Sequence, residues 1–147
     1  MADQNLSISR AVKSDVERIL YIERLSFSQN GFSARAIKYH IQKNLTLVAR
    51  LDSLVCGYLV LSPLTKTKQR RVYSIAVDPE YRGMRVGVAL MKSAEKMSKS
   101  RSIILEVDET NDSARKLYEK IGFEIFGRYD KYYGSTDALR MKKIIKK

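Results

Sequence analysis

The chain has 147 residues, a length expected to form one domain, residues 1–147, that buries roughly two-thirds of its unfolded surface. Its 44% hydrophobic and 30% charged residues are those of an ordinary globular protein; no apolar run reaches the ~18 residues of a membrane span, and Met1 to Arg10 lacks an apolar signal-peptide core. A soluble, cytoplasmic protein away from any membrane is the expectation, and a formal charge of +12 would draw anions: phosphates, nucleic acid, ribosomes or acidic proteins.

Leu6 to Arg10 alternates and predicts a first strand. Ser14 followed by Glu17 fits a capping box. Val16, Ile19 and Leu20 then fall at helical spacing, with Glu23 interrupting the apolar stripe. Ser33 opens a second, short helix through about Gln42, which contains His40, the only histidine; a histidine-based triad, a zinc cluster or any metal site is not expected. Leu45 to Arg50 and Leu54 to Leu61 read as strands joined by an Asp52-Ser53 turn. The second holds the one cysteine, Cys56, read as a buried structural thiol rather than a nucleophile, with no internal disulfide possible.

Lys66, Lys68, Arg70 and Arg71 read as a basic loop, followed by a strand from Val72 to Val77 that Asp78-Pro79 ends. Val86, Leu90, Ala94 and Met97 recur at amphipathic-helix spacing. Ile103 to Val107 is a β-branched strand; Ala114, Leu117, Tyr118 and Ile121 mark a helix that Gly122 ends in the C′ position. Glu124 to Tyr129 and Ala138 to Lys142 are two closing strands, and the last leads into a second basic cluster of Arg140, Lys142, Lys143, Lys146 and Lys147. Each cluster reads equally as solvated surface or as an anion site. The order β-α-α-β-β-β-α-β-α-β-β gives antiparallel pairing first and then a parallel pair forced by a β-α-β crossover: a mixed α/β arrangement around one sheet, with any active site on the sheet and its short loops.

The informative segment runs Ser74-Ile75-Ala76-Val77-Asp78-Pro79-Glu80-Tyr81-Arg82-Gly83-Met84-Arg85-Val86-Gly87-Val88-Ala89-Leu90. It is a strand, a turn, a basic glycine-containing loop and a helix start. First-turn N–H groups and the helix dipole make such a place an anion site suited to a pyrophosphate, and glycine lets backbone approach a ligand closely. A simple tight turn would use the same residues.

This segment resembles the cofactor loop of the GNAT superfamily of acyl-CoA N-acyltransferases, Gln/Arg-x-x-Gly-x-Gly/Ala. Arg82 and Gly87 match its first and last positions, and Arg85 stands where the middle glycine is usual. Leu105-Glu106-Val107, Asn111 and Leu117-Tyr118-Glu119-Lys120-Ile121-Gly122-Phe123 are similar to the second half of the same family. Tyr132-Tyr133 followed by Asp137-Ala138-Leu139-Arg140-Met141 resembles the ribosomal-protein-alanine N-acetyltransferase branch, and Ile22-Glu23 with Phe27 to Ser33 is loosely similar too. The resemblance covers nearly the whole chain and is strongest from Tyr73 to Phe123.

It implies the acyl-CoA N-acyltransferase fold: a single mixed, mostly antiparallel twisted sheet with a parallel β-α-β acyl-CoA-binding core and helices on both faces. It implies acetyl-CoA as co-substrate, bound by Arg82, Gly83, Met84, Arg85, Val86, Gly87 and Val88. Ile75, Ala76 and Val77 would pair their backbone with the pantetheine arm, and an N–H near Val77 would polarise the thioester carbonyl. The acceptor would be a protein N-terminus, with that of a ribosomal protein as a candidate and no direct nucleic-acid contact required. An α-amine has a pKa near 8, so part of it is neutral at pH 7, and a general base helps with the rest.

By alternation Glu106 lies on the strand face opposite Ile103, Leu105 and Val107. It reads as a rim carboxylate paired with a lysine or, with the resemblance, as that base. Tyr118 reads as a core tyrosine or, with the resemblance, as the acid that protonates the leaving thiolate. Asn111 reads equally as a cofactor contact or a helix N-cap. Two other functions fit the chain. One is a small-molecule N-acetyltransferase of the same fold, which +12 disfavours for polycationic substrates. The other is a basic nucleic-acid-binding module without catalysis, for which no aromatic-rich RNA-binding strand, zinc spacing or helix-turn-helix signature is found.

Overall fold

The computed structural model describes residues 5–27, 32–43, 45–83, 85–97 and 99–145. In chain order they form β1 (Leu6–Arg10), α1 (Val16–Phe27), α2 (Ala34–Gln42), β2 (Thr46–Leu51), β3 (Leu54–Leu61), β4 (Gln69–Val77), α3 (Val86–Met97), β5 (Ser102–Asp108), α4 (Asp112–Lys120), β6 (Glu124–Tyr129) and β7 (Ala138–Ile144). Two compact units result: Met1–Ser62 with Tyr73–Met97, and Pro63–Val72 with Ser98–Lys147. The strand order is β1-β2-β3-β4-β5-β7-β6, an open mixed α/β sheet of seven strands. Among the described residues no helix is long and apolar enough to cross a membrane.

In the first unit β1, β2 and β3 pair antiparallel. Asp52 and Ser53 carry φ of 50° and 78°, so both central residues of the hairpin turn are left-handed, which matches the right-handed twist of the flanking strands. β2 and β3 are buried along nearly their whole length, as a sheet covered on both faces requires. The opposed pair Val48 and Tyr58 belongs to the core that Val16, Ile19, Ile22, Ile37 and Ile41 of α1 and α2 complete. The next pair, Ala49 and Gly57, faces α3, and a Cβ at Gly57 would lie 3.0 Å from Val86 Cγ1, 3.3 Å from Leu90 Cδ1 and 3.1 Å from the Ala76 carbonyl oxygen.

The second unit holds the parallel pair, Gln69 to Arg71 of β4 beside Ser102 to Ile104 of β5, and then β5, β7 and β6 in antiparallel succession. α4 ends in a Schellman turn. Gly122 (φ 108°) donates to the Glu119 carbonyl at 3.1 Å, Phe123 donates to the Tyr118 carbonyl at 2.9 Å, and the Phe123 and Tyr118 rings meet at 5.9 Å.

Three local expectations are corrected. α1 is not closed by the Ser14–Glu17 box. A 3₁₀ turn, Lys13–Asp15, precedes it, and the Asp15 carboxylate accepts the Val12 N–H at 2.8 Å while Arg50 Nη2 neutralises it at 2.8 Å. β4 begins at Gln69, not Val72, because the chain reverses at Lys68 (φ 63°) and Thr65 Oγ1 accepts the Gln69 N–H at 2.9 Å. β7 runs two residues further, to Ile144, which pairs with Ser102.

The close fit at Gly57 makes a prediction. Gly57→Ala should lower stability by about 1 kcal/mol or more, because overpacking against a backbone oxygen (~1–3 kcal/mol) outweighs the ~0.5–1 kcal/mol gained by removing glycine from a strand. A higher urea midpoint at unchanged slope would show that α3 yields instead.

Candidate active site

In the first unit β4 carries the strand half of the motif. Ala76 points into the core, and Ile75 and Val77 lie half-buried on the opposite face. The turn after it is anchored by Asp78, only 3% exposed, whose carboxylate accepts from the Glu80 N–H at 3.0 Å and from Arg18 Nη2 at 2.5 Å, while its own N–H reaches the Cys56 carbonyl at 2.8 Å. Arg18 is fixed in turn by the Val55 carbonyl at 2.8 Å. Cys56 is fully buried, and burial pushes its thiol pKa up.

Beyond the turn the exposed Arg82 leads into Gly83, which has φ of 83° and nothing within 4 Å of a built Cβ. Met84 lies outside the described residues. Arg85 has φ of 61°. The arginine therefore keeps the left-handed backbone conformation that glycine favours, at a cost of ~1–2 kcal/mol. The first helical hydrogen bond of α3 runs from the Ala89 N–H to the Arg85 carbonyl at 3.0 Å, so Val86, Gly87 and Val88 present N–H groups with no acceptor inside the helix.

The second unit contains Glu106, Asn111 and Tyr118. The Glu106 side chain is 6% exposed, not on a rim, and its partner is an arginine: Arg71 Nε and Nη2 both reach Oε1 at 2.7 Å. Arg71 Nη2 also donates to the Tyr132 hydroxyl at 3.2 Å. Glu106 Oε2 is buried without a hydrogen bond, as is Arg140 Nε, 3.9 Å away. Asn111 caps α4, its Oδ1 accepting the Ala114 N–H at 3.2 Å.

Tyr118 is the buried residue of α4, while Ala114, Leu117 and Ile121 are half-buried. Burial, and secondarily the neighbouring Tyr133, pushes its phenol from 10.0 up to about 12. Tyr133 is pushed up to about 12 as well, by burial first, then by Tyr132 and the carboxylates of Glu106 and Asp108. Tyr133 is thus within electrostatic reach of both Tyr118 and Glu106.

Sequence reasoning missed two features. Neither Arg71, a member of a basic cluster, nor Arg140, a member of the other cluster and of the Asp137 to Met141 resemblance, stands out in the sequence as a partner of Glu106; strand alternation extended back to Gln69 puts Arg71 on the face of Glu106. Glu23 was read as a break in a stripe. It is 2% exposed, accepts from the Tyr58 hydroxyl and, at 2.5 Å, from the Phe32 N–H, and has its pKa raised by desolvation. Among the described residues no group of three or more His, Cys, Asp or Glu is placed to hold a metal ion.

The fold is that of known acetyltransferases. Ard1 from Thermoplasma volcanium superimposes with a TM-score of 0.88 at 28% identity, covering 97% of this chain and 99% of that one. The ribosomal-protein-alanine N-acetyltransferase of Escherichia coli does so with a TM-score of 0.85 at 21% identity over 97% and 96%. The acetyltransferase (GNAT) family model matches residues 15–123, and the chain belongs to that family. N-alpha-acetyltransferase RimI of Mycobacterium tuberculosis is 32% identical over 65% of this chain and 63% of that protein. A Bacillus subtilis protein provisionally named a ribosomal-protein-alanine N-acetyltransferase is 30% identical over 86% of this chain and 87% of its own. The chain spans 39% of a Mycobacterium leprae relative, at 31% identity over 92% of this chain.

The Tyr118 environment makes an alkaline prediction. The folded pKa lies above the unfolded one, so burial of the neutral phenol stabilises the fold fully below pH 10 and that contribution is lost as pH rises toward about 12. The contribution is at most about 3 kcal/mol. In urea titrations from pH 9 to 12 wild type should lose stability relative to Tyr118→Phe as pH rises; a constant difference would show that the phenol is not enclosed.

Proposed function

We propose that this chain transfers acetyl from acetyl-CoA to the α-amine of a polypeptide N-terminus in the cytoplasm, with a ribosomal protein as the favoured acceptor. The observation that carries the cofactor half is the left-handed backbone of Gly83 and Arg85 directly before α3. It turns the N–H groups of Val86, Gly87 and Val88 into a cradle, and the open space at Gly83 lets a diphosphate approach the backbone. Arg82 and Arg85 add positive charge. These residues fit acetyl-CoA. Family membership and relatives named as N-alpha-acetyltransferases support the acceptor half.

In the reaction the amine nitrogen bonds to the thioester carbon, the C–S bond breaks, and one amine proton must be removed. Glu106 is the base in this reading. Arg71 occupies Oε1, so Oε2, which has no hydrogen bond, is the oxygen left to accept that proton. The backbone from Ile75 to Val77 holds the acyl arm, with the Val77 N–H polarising the carbonyl. Tyr118 remains a neutral phenol up to about pH 12, so its O–H is available to the leaving sulfur at any working pH. Complete proton transfer from such a phenol to a thiolate of ordinary pKa near 8.5 is uphill by roughly 3–4 units. The hydroxyl therefore stabilises the departing sulfur by a hydrogen bond, and the one proton that Glu106 takes from the amine is passed on to the thiolate, which leaves the carboxylate ready for the next turnover. Asn111 spends its side-chain oxygen on the α4 cap, which leaves its amide group for the cofactor arm.

Gly87→Glu should abolish saturable acetyl-CoA binding in calorimetry while leaving the melting temperature of the free protein within a few degrees; undiminished affinity would refute the cradle. Glu106→Gln should lower kcat on a peptide N-terminus by about 10²-fold, with partial recovery at high pH where the amine is already neutral. A parallel pH–rate profile in the two proteins would remove Glu106 from proton transfer.

A further inference from the structure

Arg140 is held in an unusual way. It lies directly across from Glu106 on β7 and across from Gly127 on β6. The strand register shifts between Ile125 and Gly127, and the missing side chain at Gly127 leaves room for the Arg140 stem, whose Cδ would sit 3.5 Å from a Cβ there. The guanidinium carbon then rests 4.6 Å from the Phe126 ring centre and 4.5 Å from that of Tyr129. Both rings are partly exposed, 47% and 37%. Stacking on aromatic faces fixes the plane of a guanidinium without using its N–H donors.

Those donors are free. Among the described residues the Arg140 side chain makes no hydrogen bond, and its single ion-pair contact, to Glu106, is long at 3.9 Å, Arg71 holding the other carboxylate oxygen. Nε is enclosed, which leaves the two Nη groups to meet a ligand. Lys142, two residues along on the same strand face, adds a second cation with its Nζ 6.0 Å from the Phe126 ring centre. A planar, pre-oriented fork next to an ammonium is the arrangement that binds a carboxylate in two-point fashion.

The geometry points to an acceptor polypeptide that carries an acidic side chain, Asp or Glu, within its first three residues, with Arg140 as the specificity-determining contact and Lys142 in support. This inference rests on the α-amine reading above and deepens it. Charge complementarity carries it: a face with one carboxylate already satisfied by Arg71, and two cations beside it, complements an anionic segment. The distance suits it also, since a chain whose amine meets Glu106 advances only ~3.3–3.6 Å per residue.

The test compares peptides that differ only by Asp against Asn at positions two and three, with saturating acetyl-CoA, in wild type, Arg140→Gln and Arg140→Lys. The Asp peptides should show KM about tenfold lower or more in wild type at similar kcat, an advantage that shrinks with added salt. Arg140→Gln should bring the Asp-to-Asn ratio of KM to one, whatever it does to the two absolute values; Arg140→Lys should keep part of the ratio. Equal KM for Asp and Asn peptides in wild type overturns the inference and leaves the α-amine reading standing, and this comparison needs no variant to fold. A ratio that survives in Arg140→Gln overturns Arg140's role. Competition by oligouridylate that Arg140→Gln abolishes, without any Asp preference, would assign the fork to RNA phosphate and also overturn it. Acetylation of free polyamines but of no peptide would sink the α-amine reading itself.

Discussion

A carboxylate in the middle of a sheet must have a countercharge, and the second unit is arranged around that need. β5 lies between β4 and β7, with Ile103, Leu105 and Val107 buried on one face and Glu106 nearly so on the other. Arginines on both flanking strands reach toward it, Arg71 at 2.7 Å and Arg140 at 3.9 Å. Removing one partner of such a buried pair costs ~3–5 kcal/mol, because it leaves a charge without water or partner. The unequal distances divide the labour. Arg71 satisfies the charge; Arg140 keeps its donors. The site's electrostatics thus follow from strand register: Arg71 sits beside Ile104 in the parallel pair and Arg140 opposite Glu106 in the antiparallel one.

The elements themselves were legible in the sequence because their signals are local. Periodicity marked α3, Ser33 capped α2 through its Oγ to Ala36 N–H, and Gly122 ended α4. What escaped depends on contacts far apart in sequence. Nothing near Gln69 says that four cations in six residues continue into a strand; the pairing with Ser102 to Ile104 does. Nothing near Glu23 says that a polar residue in an apolar stripe points inward; the Tyr58 hydroxyl, 35 residues on, does. Tyr118 is an intermediate case. Its helix and a core tyrosine as one of its two readings were evident, but not that Ala114, Leu117 and Ile121 stay half-buried while Tyr118, its ring against Phe123 in the Schellman turn, is the buried residue of α4.

The loop before α3 shows conformation outlasting residue identity. Where the family favours glycine this chain has arginine, yet the backbone keeps φ of 61°. The geometry is imposed by its surroundings. Asp78, held by Arg18 and by the Cys56 carbonyl, sets where the loop starts, and Val86 and Leu90 pressed against Gly57 set where the helix begins. Between these two anchors Arg85 holds the left-handed conformation despite its side chain.

Cys56 gives that same region a chemical clock. Its thiol is fully enclosed in β3, is the only sulfhydryl in the chain, and belongs to the residue whose carbonyl anchors Asp78. A thiol reagent can reach it only when β3 is uncovered, so the labelling rate of a single atom counts openings of the first unit. Any ligand that tightens the loop at Asp78 slows that clock, and the slowing reports occupancy without turnover, a label at the ligand or a substituted residue.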